Sequence, residues 1–279
     1  AGGVHGLFVL GTTGEGPSLS HDLQRELVTR VMQSVRRRCP VLVGVTDTSL
    51  TESLRLSQHA ADRGADAVVL AAPPYFPMHQ SDLVRYVRGF ADASPLPTML
   101  YNMPSHTKTA FSLDSVRQLQ QECDGVIGVK DSSGNMLYFQ QLVELARDRA
   151  GFSILMGPGA LLAPAVLMGG NGGVCGGANL LPSLYTELYE AAVTEDLRLV
   201  HRLQHKVQRI SARLYDVGDP PTGYLTGLKT ALELTGLCSG RLAEPLFQMP
   251  PDRRDRLRQH LLDLGLTLPE PTPQSSSQS

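Results

Sequence analysis

The stretch Val-Ile-Gly-Val-Lys-Asp-Ser-Ser-Gly at residues 126–134 contains the pattern that decides the fold. A short apolar run ends at polar residues and a glycine, and a segment with helical spacing follows at 136–150. The run is mostly apolar rather than alternating, as in a strand that is buried on both faces. The stretch therefore predicts one strand–loop–helix unit of a parallel sheet.

The same unit recurs along most of the chain. The apolar runs lie at residues 7–10, 41–45, 67–72, 98–101, 126–130, 153–156 and 173–176. The other helix-like segments lie at residues 20–38, 50–63, 81–92, 113–122 and 161–168. A strand–helix alternation repeated seven times predicts an α/β fold with a parallel sheet and right-handed crossovers.

The number of strands bears on the architecture, because a closed parallel barrel contains eight. The chain opens with Ala-Gly-Gly-Val-His-Gly, which resembles the end of a helix and the turn into a strand. We therefore interpret residues 1–182 as strands 2–8 of a TIM (β/α)8 barrel that lacks its first strand and helix. The pattern leaves an open, doubly wound sheet of seven strands as the alternative.

The strand pattern stops near residue 180. Helices without strands are predicted at about 183–193, 195–215, 222–236 and 251–264. We expect a helical C-terminal appendage over residues 183–266. Residues 267–279 are rich in Pro, Ser and Gln, which predicts a disordered tail.

Composition excludes several classes of protein. The 279 residues include 25 Lys plus Arg and 27 Asp plus Glu, a net charge of −2, which argues against a nucleic-acid partner. There is no apolar run long enough to span a membrane and no signal-peptide pattern at the start. A reduced, cytoplasmic protein is expected, because the cysteines form no C-x-x-C pair: Cys39, Cys123, Cys175 and Cys238.

Histidine and lysine give two further observations. His201 and His205 are four residues apart on a predicted helix, but no acidic partner completes a metal site, so a solvated face is the preferred interpretation. Arginine supplies 21 of the basic residues, and only four are lysine. Of these four, only Lys130 ends an apolar run, whereas Lys108, Lys206 and Lys229 lie in turn-like or helical segments.

The sequence Gly-Thr-Thr-Gly-Glu-Gly at residues 11–16 follows the first apolar run. Glycines allow a tight turn with exposed N–H groups, and two neighbouring hydroxyls make such a turn a cradle for a small carboxylate or phosphate. It is not a Walker loop, because no Gly-Lys-Ser/Thr follows. An ordinary glycine-rich turn is the alternative.

Tyr101 and Lys130 end two other apolar runs, where a barrel enzyme carries its functional groups. A phenol at this position can relay protons. Burial lowers the pKa of a lysine and leaves a free amine that attacks carbonyls. The alternatives are a structural tyrosine and a lysine paired with Asp131. A cradle, a phenol and an amine at three strand ends together suit imine chemistry on a 2-oxo acid.

These segments resemble those of the dihydrodipicolinate synthase/N-acetylneuraminate lyase family of class I, pyruvate-dependent aldolases. The resemblance extends to about residue 265, and the order and spacing of the motifs fit. The matching segments are residues 11–15, Tyr-Asn-Met-Pro at 101–104, Gly-Val-Lys-Asp-Ser-Ser-Gly at 128–134, and residues 169–179. The resemblance implies a (β/α)8 barrel with a C-terminal helical domain and an additional first strand and helix. It also implies a homo-oligomer, usually a tetramer.

The resemblance also implies roles for individual residues. Lys130 corresponds to the Schiff-base lysine, Tyr101 to the proton-relay tyrosine, and Thr12 to the relay hydroxyl beside it. Thr13 corresponds to the residue that binds the pyruvate carboxylate, in the turn that begins at Gly11. Val174 falls where a backbone carbonyl faces the bound pyruvate. Neither a metal nor an organic cofactor is implied, because the imine forms on the lysine itself.

Three departures from the family pattern concern the second substrate. Phe76 stands where synthases have a second tyrosine that joins the relay of a neighbouring subunit. His106 stands where an arginine usually binds the carboxylate of the aldehyde. Pro158 and Gly159 replace acidic residues, which weakens the case for a sugar acid.

The segment 173–179 and the non-acidic loop look closer to 4-hydroxy-2-oxoglutarate aldolases, although those retain the second tyrosine. We therefore place a 2-oxo-acid aldolase ahead of a dihydrodipicolinate synthase. A non-catalytic 2-oxo-acid-binding member or truncated pseudoenzyme is the alternative from another class. A phosphate-binding barrel is disfavoured, because the loop after the last strand lacks the expected cationic or helix-start site.

Overall fold

The computed structural model describes residues 2–215, 217 and 222–269, with seven strands and eleven helices among them. The strands are β1 (Leu7–Val9), β2 (Val41–Gly44), β3 (Ala67–Ala71), β4 (Thr98–Asn102), β5 (Val126–Asp131), β6 (Ser153–Met156) and β7 (Gly172–Gly173). The helices of the strand-containing part are α1 (His21–Val35), α2 (Leu50–Asp62), α3 (Gln80–Ala93), α4 (Pro104–Thr107), α5 (Leu113–Glu122), α6 (Met136–Ala146) and α7 (Leu162–Leu167). The remaining helices are α8 (Pro182–Val193), α9 (Leu197–Tyr215), α10 (Gly223–Leu234) and α11 (Pro251–Asp263).

All neighbouring strands are parallel, and their order in the sheet is β1 to β7, the same as in the chain. A doubly wound sheet reverses its strand order at a switch point. The sequential order therefore excludes that alternative and is typical of a TIM barrel. Within the described residues, β1 pairs only with β2 and β7 only with β6.

Apolar side chains cover both faces of the sheet, and every residue of β3 and β4 is buried. One face carries a small interior cluster that includes Val69, Met99 and Tyr101. The opposite face packs against the helices, with Leu70 and Leu100 among the fully buried side chains. Burial on both faces explains why the strands appear in the sequence as continuous apolar runs.

Several helix boundaries follow from local chemistry. The Ser20 side chain accepts a hydrogen bond from the backbone N–H of Leu23, which confirms the predicted N-cap of α1. Gly64 has a φ of +84° after α2, as expected of a residue that ends a helix. The prediction that the first helix reaches residue 38 was wrong, because Arg36 and Arg37 adopt positive φ and end it at Val35.

The chain divides into two compact units, Ala1–Val207 and Gln208–Ser279. In the first unit, α8 packs against α7 through an apolar cluster that includes Leu162 and Leu188. In the second, α10 packs against α11. The boundary between residues 182 and 183 stays a prediction, and residues 270–279 of the predicted tail lie outside the described part. In that part no helix is both long and apolar enough to cross a membrane.

Candidate active site

The turn after β1 is fixed by its own backbone. The N–H of Glu15 donates to the carbonyl of Thr12 at 3.1 Å, and that of Gly16 donates to the carbonyl of Gly11 at 3.3 Å. A Cβ at residue 16 would lie 2.2 Å from the carbonyl oxygen of Leu10, so this position has room only for glycine. The turn places Thr12 above the ends of the strands, where its hydroxyl meets Tyr101.

A bulge in β5 turns Lys130 toward the interior face of the sheet, which also carries Tyr101. Thr98 pairs with Val126, but the next residue of β4, Met99, pairs with Gly128. A one-residue slip changes the face on which every later side chain lies. After the bulge, Lys130 is in register with Tyr101, and the two side chains share the interior face. A Cβ at residue 128 would lie 2.2 Å from the carbonyl oxygen of Ser153, so glycine is required here.

The Lys130 amine lies in an aromatic environment, and the residue as a whole is only 6% exposed. Its Nζ is 4.1 Å from the centre of the Tyr101 ring and 4.7 Å from that of Phe8. Burial lowers the pKa of Lys130 from its usual value, and the interactions with Tyr101 and Cys175 act in the opposite direction but more weakly. Desolvation thus favours the neutral amine, which is the nucleophilic form.

Tyr101 connects the lysine to the turn after β1. Its hydroxyl is 3.2 Å from Thr12 Oγ1, and either oxygen can act as the donor. The Tyr101 side chain is 8% exposed and meets the Phe8 ring edge to face. The chain therefore brings a threonine hydroxyl, a phenol and an amine together in one row, as a proton relay requires.

A cavity of about 250 Å³ opens beside this row. Four of the predicted site residues line it, namely Gly11, Thr12, Tyr101 and His106. The remaining wall is largely apolar and includes Leu56, Val69, Ala71 and Met103. An apolar lining with a few polar groups is typical of a pocket for a small organic molecule.

Three predicted site residues, Lys130, Thr13 and Val174, do not line this cavity. The Lys130 Nζ lies 4.1 Å from the centre of the Tyr101 ring, and Tyr101 does line it. Thr13 is half-buried in the same turn as Thr12. Val174 lines a second cavity of about 410 Å³ together with residues of β1 and β7, and its N–H donates to the carbonyl of Met156. Their contacts with substrate stay predictions.

The ion pair of Lys130 with Asp131, considered as an alternative from the sequence, is not formed. Adjacent strand residues point to opposite faces, so Asp131 faces away from the amine. Its carboxylate instead accepts hydrogen bonds from Asn102 Nδ2 at 2.8 Å and from Ser133. Lys130 is therefore a buried amine beside aromatic rings rather than a member of a structural ion pair.

Sequence reasoning missed two residues of the site. Phe8 packs over the lysine, and its place in the short strand β1 gave no sign of this. Thr46 lines the cavity just beyond the end of β2, where its hydroxyl accepts from the N–H of Ala71. A hydroxyl at the carboxyl end of a strand is a signal that could have identified Thr46.

The residues at the three positions that depart from the family pattern lie in different surroundings. Tyr75 and Phe76 stack edge to face at 4.8 Å, and Phe76 is 74% exposed. His106 is exposed, yet partial burial of its ring lowers its pKa, and Ser105 Oγ lies 2.9 Å from its Nδ1. Pro158 and Gly159 follow β6 and do not line the cavity beside Tyr101.

No group of three or more His, Cys, Asp or Glu side chains within the described ranges is arranged to hold a metal ion. His201 and His205 are both exposed on α9, in agreement with a solvated helix face. The chemistry available to the site comes from the amine, the phenol, the hydroxyl and the backbone of the turn.

A buried amine and a phenol at adjacent strand ends of a parallel barrel-type sheet are typical of lyases that act on carbonyl compounds. Known proteins of similar sequence define the family. The model of the dihydrodipicolinate synthetase family matches residues 1–263, so the chain belongs to this family of class I aldolases.

Relatives with similar sequences come from several organisms. The chain is 34% identical to the 4-hydroxy-tetrahydrodipicolinate synthase of Methanopyrus kandleri, over 96% of this chain and 87% of the relative. It is 36% identical to an uncharacterized DapA-like lyase of Halobacterium salinarum, over 95% of this chain and 84% of the relative.

Solved structures share the fold. A dihydrodipicolinate synthase from Bacteroides thetaiotaomicron is 46% identical with a TM-score of 0.90, over 94% of this chain and 88% of that one. YagE, a prophage protein of the same family from E. coli K12 that was solved in complex with pyruvate, is 29% identical with a TM-score of 0.89. That match covers 95% of this chain and 89% of YagE. These matches establish an α/β fold that closely resembles the TIM barrels of the family.

Proposed function

We propose that the protein makes or breaks a carbon–carbon bond between pyruvate, or a related 2-oxo acid, and an aldehyde through a Schiff base on Lys130. The observation that carries this proposal is the buried Lys130 amine, whose Nζ lies 4.1 Å from the Tyr101 ring. Enzymes of this family use a Schiff base between pyruvate and a lysine and need no additional cofactor.

The proposed reaction begins when the neutral Lys130 amine attacks C2 of pyruvate. Tyr101, paired with Thr12, supplies the proton that lets the carbinolamine lose water and form the imine. The protonated imine withdraws electrons, so a proton leaves C3 and an enamine forms. The enamine adds to the aldehyde, and the reverse sequence cleaves the bond. The covalent intermediate thereby replaces a carbanion that water would not stabilise.

Binding of the pyruvate carboxylate is proposed for the turn at residues 11–16. The backbone at Gly11 lines the cavity, and Thr13 lies one residue beyond Thr12 in the same turn. Exposed N–H groups and hydroxyls in such turns bind small anions. In this proposal the backbone carbonyl of Val174 faces the bound pyruvate from the other side.

For the aldehyde, we propose a 2-oxo-acid aldolase of the 4-hydroxy-2-oxoglutarate type. His106 lines the cavity and would bind a carboxylate more weakly than an arginine. It therefore favours a substrate whose carboxylate is smaller or less tightly bound. Phe76 supplies no hydroxyl to a relay. Pro158 and Gly159 provide no acidic groups for a polyhydroxylated substrate.

The second candidate is a 4-hydroxy-tetrahydrodipicolinate synthase. The names of several relatives favour it, including that of Methanopyrus kandleri at 34% identity and that of Thermomicrobium roseum, also at 34%. Both candidates use the same imine and enamine, so they differ only in the aldehyde that the enamine meets.

Two assays on the purified protein separate these candidates. The first measures pyruvate released from 4-hydroxy-2-oxoglutarate, and the second measures condensation of pyruvate with aspartate semialdehyde. We expect cleavage to exceed condensation, and Lys130→Ala to abolish it while Lys206→Ala, an exposed lysine on α9, does not. Condensation without cleavage would establish the synthase. Pyruvate binding with neither activity would indicate a non-catalytic member.

We also propose that one further parallel strand closes the barrel between β1 and β7. The outer edges of these strands flank the 410 Å³ cavity, which is lined by Leu7, Phe8, Gly172 and Gly173. Unpaired strand edges invite pairing. Hydrogen exchange of the β1 and β7 amides tests this point: slow exchange at the outer edge supports a covering strand, and fast exchange contradicts it.

We also propose that the protein is a homotetramer and that it is located in the cytoplasm. The exposed Tyr75–Phe76 pair offers aromatic surface of the kind that interfaces bury. All four cysteines are free, which suits a reducing compartment. Light scattering after size exclusion gives the mass, and four copies are expected. A mass of one copy would contradict the tetramer.

A further inference from the structure

Asn102 and Asp131 form a buried hydrogen-bonded pair across β4 and β5. Asn102 is 1% exposed and Asp131 is fully buried. The Asn102 amide donates to Asp131 Oδ1 at 2.8 Å. The two residues are also in register on the neighbouring strands.

Each partner of this pair is fixed by a loop as well. The backbone N–H of Phe111, in the segment before α5, donates to Asn102 Oδ1 at 3.1 Å. On the other strand, the N–H of Ser133 donates to Asp131 Oδ1 at 3.1 Å and its hydroxyl donates to Oδ2 at 2.9 Å. Both polar side chains are thus satisfied, as burial requires.

The neighbours of this pair in the chain are the two residues of the proposed reaction. Tyr101 precedes Asn102, and Lys130 precedes Asp131; Tyr101 and Lys130 are themselves in register. Adjacent residues of a strand point to opposite faces. The Asn102–Asp131 pair therefore links β4 and β5 on the outer face of the sheet, directly beside the point where Tyr101 and Lys130 meet on the inner face.

We propose that the Asn102–Asp131 pair positions Lys130 against Tyr101 by locking the carboxyl ends of β4 and β5 in register. The inference rests on the proposed Schiff-base function. Both side chains lie on the face of the sheet opposite to Lys130 and Tyr101 and line neither cavity, so both are positioning residues rather than catalytic ones.

The pairing of β4 with β5 near Lys130 needs an additional link between the strands, because a bulge interrupts it nearby. The bulge leaves Ile127 unpaired, only three residues before Lys130, and interrupts the regular pairing of β4 and β5. Bulges bend and twist a strand locally. Backbone bonds resume beyond it, with the N–H of Ser132 donating to the carbonyl of Asn102 at 2.8 Å. The side-chain pair is a directional link that specifies which residues of the two strands face each other after the bulge.

The test measures borohydride trapping of the pyruvate imine as a function of pH. Asn102→Asp places two carboxylates together, and Asp131→Asn removes the acceptor charge. We expect each to slow trapping by about tenfold or more, because small displacements of reacting groups cost that much. Each should also raise the pH midpoint of trapping, because a displaced Lys130 regains solvent. The reciprocal double variant restores donor and acceptor and is expected to recover both rate and midpoint.

Two further variants make the result decisive. Gln120→Ala removes another buried polar side chain, which donates to the carbonyl of Leu145 between α5 and α6, and should leave the pH midpoint unchanged. Ser133→Ala removes one hydrogen bond to Asp131 and provides a milder variant if the others fail to fold. It should shift the midpoint in the same direction by a smaller amount.

The outcomes separate this inference from the proposed function. Failure of the unaltered protein to trap pyruvate at Lys130 would refute the proposed function. Normal trapping by the unaltered protein, with an unchanged pH midpoint in folded Asn102, Asp131 and Ser133 variants, would overturn the positioning role. Loss of rate in the single variants without recovery in the double variant would also overturn it, because the pair would then have only a structural role.

Discussion

Lys130 and Tyr101 face each other across adjacent parallel strands, with the lysine Nζ 4.1 Å from the centre of the tyrosine ring. The contact excludes water from the amine on one side, and Phe8 does so on another. The Tyr101 hydroxyl is hydrogen-bonded to Thr12 Oγ1 at 3.2 Å. Burial of the amine lowers its pKa, and the contact with Tyr101 places a hydroxyl-bearing side chain beside it.

Burial of Lys130 should cost stability. Its pKa is lowered in the folded protein from the usual 10.5, so the unfolded chain binds more protons between the two pKa values. Stability therefore rises with pH through that window, and the cost is largest below it. Lys130→Met should stabilise the protein at neutral pH by about 1–2 kcal/mol. Urea unfolding at several pH values measures this gain, which should shrink toward pH 10.5. An equal or larger gain at high pH would contradict it.

Tyr101→Phe removes the proposed relay hydroxyl and keeps the ring over Lys130. We expect imine formation with pyruvate to slow by about 10²–10⁴-fold, which is the range for a positioned general acid. Stopped-flow quenching with borohydride measures the rate. The fold should persist, because the aromatic contact with Phe8 remains.

Thr12→Val provides the matched comparison for this prediction, because it removes the other hydroxyl of the same hydrogen bond. Its rate should fall less than that of Tyr101→Phe, since the phenol itself remains. If Tyr101→Phe formed the imine as fast as the unaltered protein, Tyr101 would have no part in the relay.

Gly128→Ala should damage both stability and the site. The added Cβ would lie 2.2 Å from the carbonyl oxygen of Ser153, so β5 and β6 would have to separate. A loss of about 1–3 kcal/mol is expected from such overpacking, together with slower trapping of pyruvate. Gly89→Ala in α3 is the matched control, because nothing lies within 4 Å of its added Cβ. Chemical unfolding should show that this control is neutral or slightly stabilised; equal stability of the two variants would contradict the argument.

His106 should make binding of an acidic substrate depend on pH. Burial lowers its pKa from 6.5, so the imidazole is neutral near pH 7 and becomes a cation only as the pH falls below that value. The KM for a dicarboxylic 2-oxo acid should therefore decrease on acidification. His106→Arg should lower KM several-fold at neutral pH and abolish this part of the pH dependence. A KM with the same pH profile in both proteins would remove His106 from carboxylate binding.

The positions of most strands could be predicted from the sequence, because burial on both faces leaves continuous apolar runs. The run at 153–156 matches β6, and that at 41–45 exceeds β2 by one residue. The last strand was predicted at 173–176 but lies at Gly172–Gly173, since a glycine-rich segment carries no side-chain pattern. Periodicity therefore located strands where side chains pack and failed where backbone alone forms the edge.

The site could be predicted only in part. Lys130 and Tyr101 were identified because each ends an apolar run, a local signal. The contact of Phe8 with Lys130 joins residues far apart in the chain, and the register of β4 with β5 depends on a bulge at Ile127. Asn102 and Asp131 are 29 residues apart, so their hydrogen bond also has no local signal. Such features arise from tertiary packing and require the structure.

Peptide mapping of the borohydride-reduced pyruvate adduct shows directly whether the imine forms on Lys130. The chain has four lysines, so Lys108, Lys206 and Lys229 serve as internal controls in the same digest. Imine formation on Lys130 predicts one reduced pyruvyl group on Lys130, none on the other three, and none at all in Lys130→Ala. A folded protein whose adduct lies on another lysine, or that forms no adduct with pyruvate, would contradict it.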